Sequence, residues 1–328
     1  MQGLPLLAWP RAPRTLTVLI YHRVLPRPEP LRPGEVDAAV FDAQMAVLAR
    51  HCAVLPLTEA VQALRAGRLP ARACCVTFDD GYADNLTVAQ PILARHGLAA
   101  TVFVATGYLD GGRMFNDTVI ELVSRCPGPT LDLHDLGLGT HRLDDTAARL
   151  AAVRSLLDVL RYLAPSERDE RIAAMVDRAG IALPHDLMLT SDQVRQLAER
   201  GIEIGGHTVQ HTILTTLDPE RAASEIAQGR DRLQQLTGRA VRSFAYPNGR
   251  PGRDYQAPHA DLVRRLGFEL AVTTSPGVAD AGTDVFQLPR FTPWGRSSLM
   301  FAARMVRNAR LGGPLWTCTE PSAAFAGA

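Results

Sequence analysis

The 328-residue chain contains no lysine; apart from its histidines, its basic side chains are 35 arginines. That absence removes the phosphate-gripping lysine of nucleotide-hydrolysing loops and the lysine Schiff base of pyridoxal enzymes. Cysteine is scarce. Cys52, Cys74, Cys75, Cys126 and Cys318 are odd in number and scattered, without Cys-x-x-Cys spacing. Such a set builds neither a disulfide framework nor a structural zinc site, and it suits thiols in a reducing compartment. An excess of either charge is missing too: the net charge is +1, so nothing in it argues for nucleic acid as a partner. Long apolar runs are absent. The opening "MQGLPLLAWPRAPR" is broken by Pro5 and Pro10, and no stretch reaches the roughly 20 residues of a membrane span. A cytoplasmic protein without a transmembrane segment is the expectation.

What is present is 46% hydrophobic residues distributed in short β-rich runs. "TLTVLIYH" (15–22), "CCVTFDD" (74–80), "LAATVFVAT" (98–106), "IEIGGH" (202–207), "VRSFAYP" (241–247), "FELAVTT" (268–274) and "VFQLPRF" (285–291) are the candidate strands. Between several of them lie segments of helical period with caps, such as "NLTVAQPILARHG", "TSDQVRQLAERG" and "DPERAASEIAQGRDRLQQLTG". Near-continuous apolar strands alternating with helices predict a parallel sheet covered on both faces, either open or closed as a barrel. Residues 109–186 interrupt the alternation with arginine-rich helical patterns, and are expected to form a helical insertion that walls or covers a substrate site. The tail, 297–328, carries Leu299, Met300, Phe301, Met305 and Val306 among Arg304, Arg307 and Arg310. It reads as a helix packed on the domain or as a basic amphipathic helix touching an anionic membrane surface.

Three strand ends carry chemistry. Asp79 and Asp80 stand side by side before Gly81, His207 and His211 lie four apart in "HTVQH", and His22 follows the first strand. Parallel strands share one carboxyl-terminal edge, where distant residues converge. Two histidines at i and i+4 can hold one metal ion, and a cation would let one carboxylate ligate while its neighbour stays ionised as a base. Two histidines and an aspartate leave coordination positions open for water and a carbonyl. The residues alone therefore point to metal-assisted hydrolysis of an amide or ester.

At these residues the chain resembles the polysaccharide deacetylase family, the NodB-like carbohydrate esterases. "TFDDGYADN" is similar to the family's first motif, "HTVQH" to its His-Ser/Thr-x-x-His motif and "SFAYPNG" to its third. "LGFELAVTTSPG" and "LPRF" resemble its late strands. The resemblance covers about 15–107 and 189–293 of what would be one catalytic domain. It implies an α/β fold, a distorted (β/α) barrel, and a divalent metal, commonly zinc, held by Asp80, His207 and His211. Asp79 would be the general base, and the reaction the removal of an N-acyl group, usually acetyl, from an amino sugar. Two departures follow. Ala245 stands where the family usually has an arginine orienting the base, and Arg290 is the candidate replacement. No histidine follows His259, which sits in the loop-like "QAPHAD", so the general acid is expected at His22, as in members with that strand near the N-terminus. Tyr246, Pro247 and Asn248 would form the substrate and oxyanion side, with the Asn248 backbone N–H as donor. The expected substrate is an N-acetylated sugar or glycan, polymeric, oligomeric or lipid-linked, in exopolysaccharide or cell-surface glycan synthesis. The alternative is an inactive carbohydrate-binding relative.

Overall fold

Runs of Val, Ile, Leu and Phe that are apolar on both sides of a strand need cover on both faces, and the chain supplies it with helices between parallel strands. A computed structural model describes residues 14–318 apart from 162, 164 and 294. In chain order its elements begin with β1 (Thr17–Tyr21), β2 (Val24–Leu25), β3 (Val36–Asp37), α1 (Ala38–His51), β4 (Ala53–Val54), α2 (Leu57–Arg65), β5 (Ala73–Phe78), α3 (Gln90–His96) and β6 (Thr101–Val104). There follow α4 (Phe115–Arg125), β7 (Thr130–Leu133), β8 (Gly139–Arg142), α5 (Thr146–Leu160) and α6 (Pro165–Ala179). The last group is α7 (Ser191–Glu199), β9 (Glu203–Gly206), α8 (Pro219–Thr237), β10 (Ser243–Ala245), α9 (Ala257–Arg265), β11 (Leu270–Val272) and α10 (Ser298–Leu311). The chain forms two compact units, one from residues up to 27, 34–109 and 189 onward, the other from 28–33 and 110–188.

The larger unit is built on a parallel sheet in the order β1-β5-β6-β9-β10-β11, with β4 also paired to β5. The sheet faces follow the two-residue period of a strand. Leu16, Val18, Ala73, Cys75, Phe103, Ala245, Leu270 and Val272 form one cluster with Leu57, Ala60, Val61 and Leu64 of α2. Leu19, Cys74, Val76, Val102, Val104 and Phe244 belong to the other cluster, shared with α1, α3, α7, α8 and α9. Cys74 and Cys75 are thus buried strand residues on opposite faces. Gly205 is required where β9 passes Phe103: a Cβ there would lie 2.3 Å from that ring and 2.9 Å from Ser243 Oγ.

Helix ends follow their local sequence. Thr190 and Gln193 form a capping box on α7, Asp218 caps α8, and Gly97 and Gly238 end α3 and α8 in the left-handed region. Asn85–Ala89 adopts a π-turn ahead of α3, just before Pro91, whose nitrogen has no hydrogen to donate. Two expectations need correction. "QAPHAD" enters α9 rather than a loop, and His259 is buried there, its Nδ1 accepting the Gln256 N–H at 3.0 Å. "VFQLPRF" is not a regular strand. Pro289 cannot donate a ladder bond, and the segment makes isolated parallel bridges instead, Val272 with Leu288 and Leu19 with Phe291. Residues 288–291 therefore join β11 to β1 and close the sheet on itself.

The smaller unit is not wholly helical. Its helices α4, α5 and α6 share a core with the antiparallel hairpin β7–β8, including Leu122, Leu131, Leu133, Val153, Leu156 and Met175. Arg32 holds 28–33 in this unit, 2.8 Å from the buried Asp117 and 3.0 Å from Glu121. In the tail, α10 buries Phe301, Ala302, Met305, Val306 and Ala309. Residues 1–13 and 319–328, part of the expected N-terminal and tail segments, lie outside the described residues.

Candidate active site

β5 ends at Phe78, and Asp79 continues the alternation of Ala73, Cys75 and Thr77 toward the α2-facing side of the sheet. Asp80 breaks it with φ of +77°. Two more left-handed residues, Thr208 (+62°) and His211 (+50°), shape the loop that carries the histidines. Such backbone costs of order 1–3 kcal/mol per residue and persists only where the surroundings impose it. Here they do. Glu225 Oε2 on α8 accepts the N–H groups of Val209 (2.9 Å) and Gln210 (2.8 Å). Thr106 and Gly107 donate to the Thr208 and Val209 carbonyls at 3.3 and 2.8 Å. Gly229 lets α8 come this close, since a Cβ there would lie 2.9 Å from the Thr208 carbonyl oxygen.

The loop brings His207 Nε2 to 3.3 Å and His211 Nε2 to 3.4 Å from Asp80 Oδ1. Ligands about 2.0–2.1 Å from a tetrahedral ion sit roughly 3.4 Å from one another, so the spacing fits a bound cation. The hydrogen-bond pattern argues the same way. His207 Nδ1 lies 2.7 Å from the Ala245 carbonyl, which can only accept, so in the neutral ring Nδ1 carries the proton and Nε2 presents a bare lone pair. Asp80 Oδ1 is buried with no hydrogen-bond partner. A lone pair facing an unpartnered carboxylate oxygen is unfavourable until a cation stands between them. Burial favours a neutral Asp80, but the imidazoles of His211 and His207 beside it outweigh that and hold the carboxyl far below its usual range. Burial pushes His211 down to about 4, leaving the neutral imidazole that a metal ligand must be.

Arg290, 1% exposed, lies inside the closed sheet. Its Nη1 and Nη2 each donate to one oxygen of Asp79 at 2.6 Å, while Nε donates to the Thr273 carbonyl at 2.8 Å. Burial alone would raise the Asp79 pKa; the Arg290 charge, with its paired hydrogen bonds, overrides it and lowers the value. The base candidate is thus ionised and fixed in orientation. His22 is exposed at the end of β1. Crowding by protein lowers its pKa, but the carboxylates of Asp80, Asp79 and Glu35 outweigh that and leave it raised, favouring the protonated ring.

The backbone beside His22 is gripped by residues that sequence reasoning left without a role. Asp84 accepts from Arg23 Nε (2.7 Å) and the Val24 N–H (3.1 Å), and Asn85 Nδ2 donates to the His22 carbonyl at 2.9 Å. Both belong to the stretch "TFDDGYADN", so one segment carries Asp79 and Asp80 and also holds His22. Burial leads in raising Asp84 to about 6, against the pull of Arg23. Of the expected oxyanion group, Tyr246 faces away. Its ring stacks on Tyr255 at 3.8 Å, its hydroxyl donates to the Phe286 carbonyl at 3.0 Å, and its N–H donates to Val272 at 3.3 Å. Pro247 has no N–H. Asn248 is exposed at φ of +57°, its carbonyl accepting from Thr274 Oγ1 at 2.8 Å, and its N–H has no acceptor among the described residues.

Residues 66–271 match the family described as polysaccharide deacetylase. YxkH of Bacillus subtilis is 23% identical over 280 residues, 85% of this chain and 71% of the relative. The Streptococcus pyogenes deacetylase PplD, solved in complex with acetate, superposes with a TM-score of 0.60 at 22% identity, over 90% of this chain and 99% of its own. IcaB from Ammonifex degensii gives 0.57 at 21% identity, over 90% and 98%. At these identities the structural likeness establishes the fold.

Replacing Arg290 by methionine should strand a buried carboxylate and lower stability by about 3–5 kcal/mol at neutral pH. In the native chain the lowered Asp79 pKa contributes stability above the unfolded value of about 3.9, lost as pH falls through the folded value. In the variant that contribution disappears, and the acid limb of kcat/KM moves to higher pH. Urea unfolding at two pH values and a pH–rate profile check this; an unmoved acid limb would show that Arg290 does not tune the base.

Proposed function

The chain belongs to the polysaccharide deacetylase family, and from that premise we propose that it removes the N-acetyl group from an amino sugar in a glycan by a metal-dependent hydrolysis. The observation that carries this reading is the unpartnered Asp80 Oδ1 between two imidazole nitrogens, beside an Asp79 kept ionised by Arg290. Asp80, His207 and His211 are the residues that would hold a divalent ion, zinc first because two nitrogens and one oxygen with open positions suit it. Such an ion, when bound, acidifies a water and polarises an acyl carbonyl.

Each of the chain's own groups then has a task. Asp79, oriented by Arg290, takes a proton from the attacking water. The Asn248 N–H donates to the acyl oxygen as negative charge develops on it. His22, with its raised pKa, gives a proton to the departing amine. An amine is a poor leaving group unless protonated, so a histidine biased toward its acid form supports amide over ester cleavage. The guanidinium beside Asp79 supports turnover over the inactive carbohydrate-binding alternative, since it supplies what Ala245 lacks. The acetate in the PplD complex supports acetyl as the acyl group.

We place the substrate among lipid-linked, oligomeric or polymeric precursors of cell-surface or extracellular polysaccharide. The five free cysteines support a reducing, cytoplasmic setting. No described helix is long and apolar enough to cross a membrane. Leu299 and Met300, 60% and 48% exposed on α10 near Arg296, support a peripheral contact with an anionic membrane face.

Asp79→Asn is expected to lower deacetylation at least about 10²-fold while about one metal per chain is retained; metal analysis with a turnover assay checks it, and an active variant would remove Asp79 as the base. Chelation should abolish turnover and readdition of zinc restore it. His22→Gln should slow an N-acetyl amide far more than an acetylated aryl ester, whose leaving group needs no proton; equal losses on both would deny His22 the acid's role. Sedimentation with vesicles of anionic lipid should retain the chain at low salt and release it at high salt, and indifference to lipid charge would end the membrane reading.

A further inference from the structure

Two cysteines that take no part in the site are brought together at the opposite, amino-terminal edge of the sheet. Cys52 caps α1, its N–H donating to the Leu48 carbonyl at 2.9 Å, and β4 then runs beside β5. Val54 stands opposite Cys74 in the register, so Cys52, two residues earlier, lies on the face that Cys74 occupies. Both join the larger core cluster, Cys74 fully buried and Cys52 half-buried at its margin. Their sulfurs are within hydrogen-bond reach, the Cys74 S–H donating to the Cys52 sulfur. Cys75, the next residue, belongs to the cluster on the other face.

Cys52 opens onto a pocket of about 560 Å³ that has Arg14, Arg50, His51 and Arg72 in its wall. Among the described residues lining it there is no carboxylate. Arg72 is half-buried at φ of +57°, and its carbonyl accepts the Ala53 N–H at 3.2 Å, which holds it beside Cys52. The thiolate is the reactive form of cysteine, and nearby cations and donated hydrogen bonds favour it. Both act here. The hydrogen bond from Cys74 lowers the Cys52 pKa, the Arg72 charge adds to it, and together they outweigh burial. The same hydrogen bond, followed by burial, raises Cys74, which stays a thiol. One sulfur is thus an accessible nucleophile and the other a protonated partner behind it. Cys318, the other half-buried thiol, is raised by burial, and its S–H donates to the Tyr255 carbonyl at 3.4 Å.

We propose that Cys52 and Cys74 form a peroxide-responsive thiol pair, a site of reversible modification at the end of the sheet away from Asp79 and Asp80. The Cys52 thiolate attacks one oxygen of hydrogen peroxide and breaks the O–O bond. It becomes a sulfenic acid, and the other oxygen leaves as hydroxide and takes a proton to give water. The Cys74 sulfur then attacks the Cys52 sulfur, forming the S–S bond as the S–O bond breaks. The hydroxyl departs with the Cys74 proton as a second water. Two thiols are oxidised and one peroxide is reduced, and a dithiol reductant reverses the change. The pair involves no residue of the active site and does not depend on the deacetylase reading.

The test treats the full-length, reduced chain with about one equivalent of hydrogen peroxide, blocks the remaining thiols with iodoacetamide and maps its peptides without reduction. The expected product is a linked Cys52–Cys74 peptide that dithiothreitol abolishes, with Cys318 oxidised at least about tenfold more slowly. In Cys74→Ser, Cys52 should stop at the sulfenic acid and be trapped by dimedone. In Cys52→Ser, Cys74 should remain a thiol. Arg72→Gln should slow alkylation of Cys52 severalfold, and an unchanged rate overturns the activating role of the pocket. Cys52 reacting no faster than Cys318 in the wild type overturns the pair. So does its passage to sulfinic acid without a link to Cys74. The wild-type map needs no substitution, so a variant that fails to fold leaves the outcome readable.

Discussion

Two buried carboxylates on consecutive residues, Asp79 and Asp80, are the constraint that the rest of the site answers. Like charges about 5 Å apart at an effective dielectric of about 20 repel by about 3 kcal/mol, before any cost of burial. The left-handed turn at Asp80 separates the pair toward different partners. Asp79 receives a two-pronged guanidinium. Asp80 receives two imidazole nitrogens, one of which cannot donate to it, so its charge asks for a cation. Each carboxylate is thereby given its own surroundings: one is held ionised by a guanidinium and the other faces two imidazole nitrogens.

These demands shape parts of the fold far from β5. Arg290 must reach Asp79 from inside the sheet, which the segment joining β11 to β1 allows because Pro289 keeps it from forming a full strand there. The histidine loop must hold strained backbone, which the Glu225 carboxylate and the close approach at Gly229 impose. His22 must stay beside a site made by another strand, and Asp84 and Asn85 grip its neighbours. The short run Thr273–Ser275 ties Arg290, Asn248 and Trp316 together, so stability and catalytic geometry share the same hydrogen bonds.

Much of this is legible in the sequence. Capping residues at Thr190, Asp218 and Gly238, the near-continuous apolar runs of β1 and β5, and the spacing of His207 and His211 are local signals. They act between residues a few positions apart, where chain geometry alone decides what meets what. The hairpin β7–β8 escaped notice because Gly139–Arg142 is polar and lacks a strand's apolar alternation. Tyr246 shares "FAYPNG" with the oxyanion candidates, yet the register of β10 turns it into the core.

By itself the sequence determined which chemistry was available: a carboxylate pair, two histidines one helical turn apart in spacing, and no lysine to support other routes. Only the tertiary structure decided who partners whom. Arg290 meets Asp79 across 211 residues of chain, and Arg23 meets Asp84 across 61. Such pairings depend on which strands end at the same edge and how the sheet closes. Those are sums of many burial contacts, and no single motif encodes them.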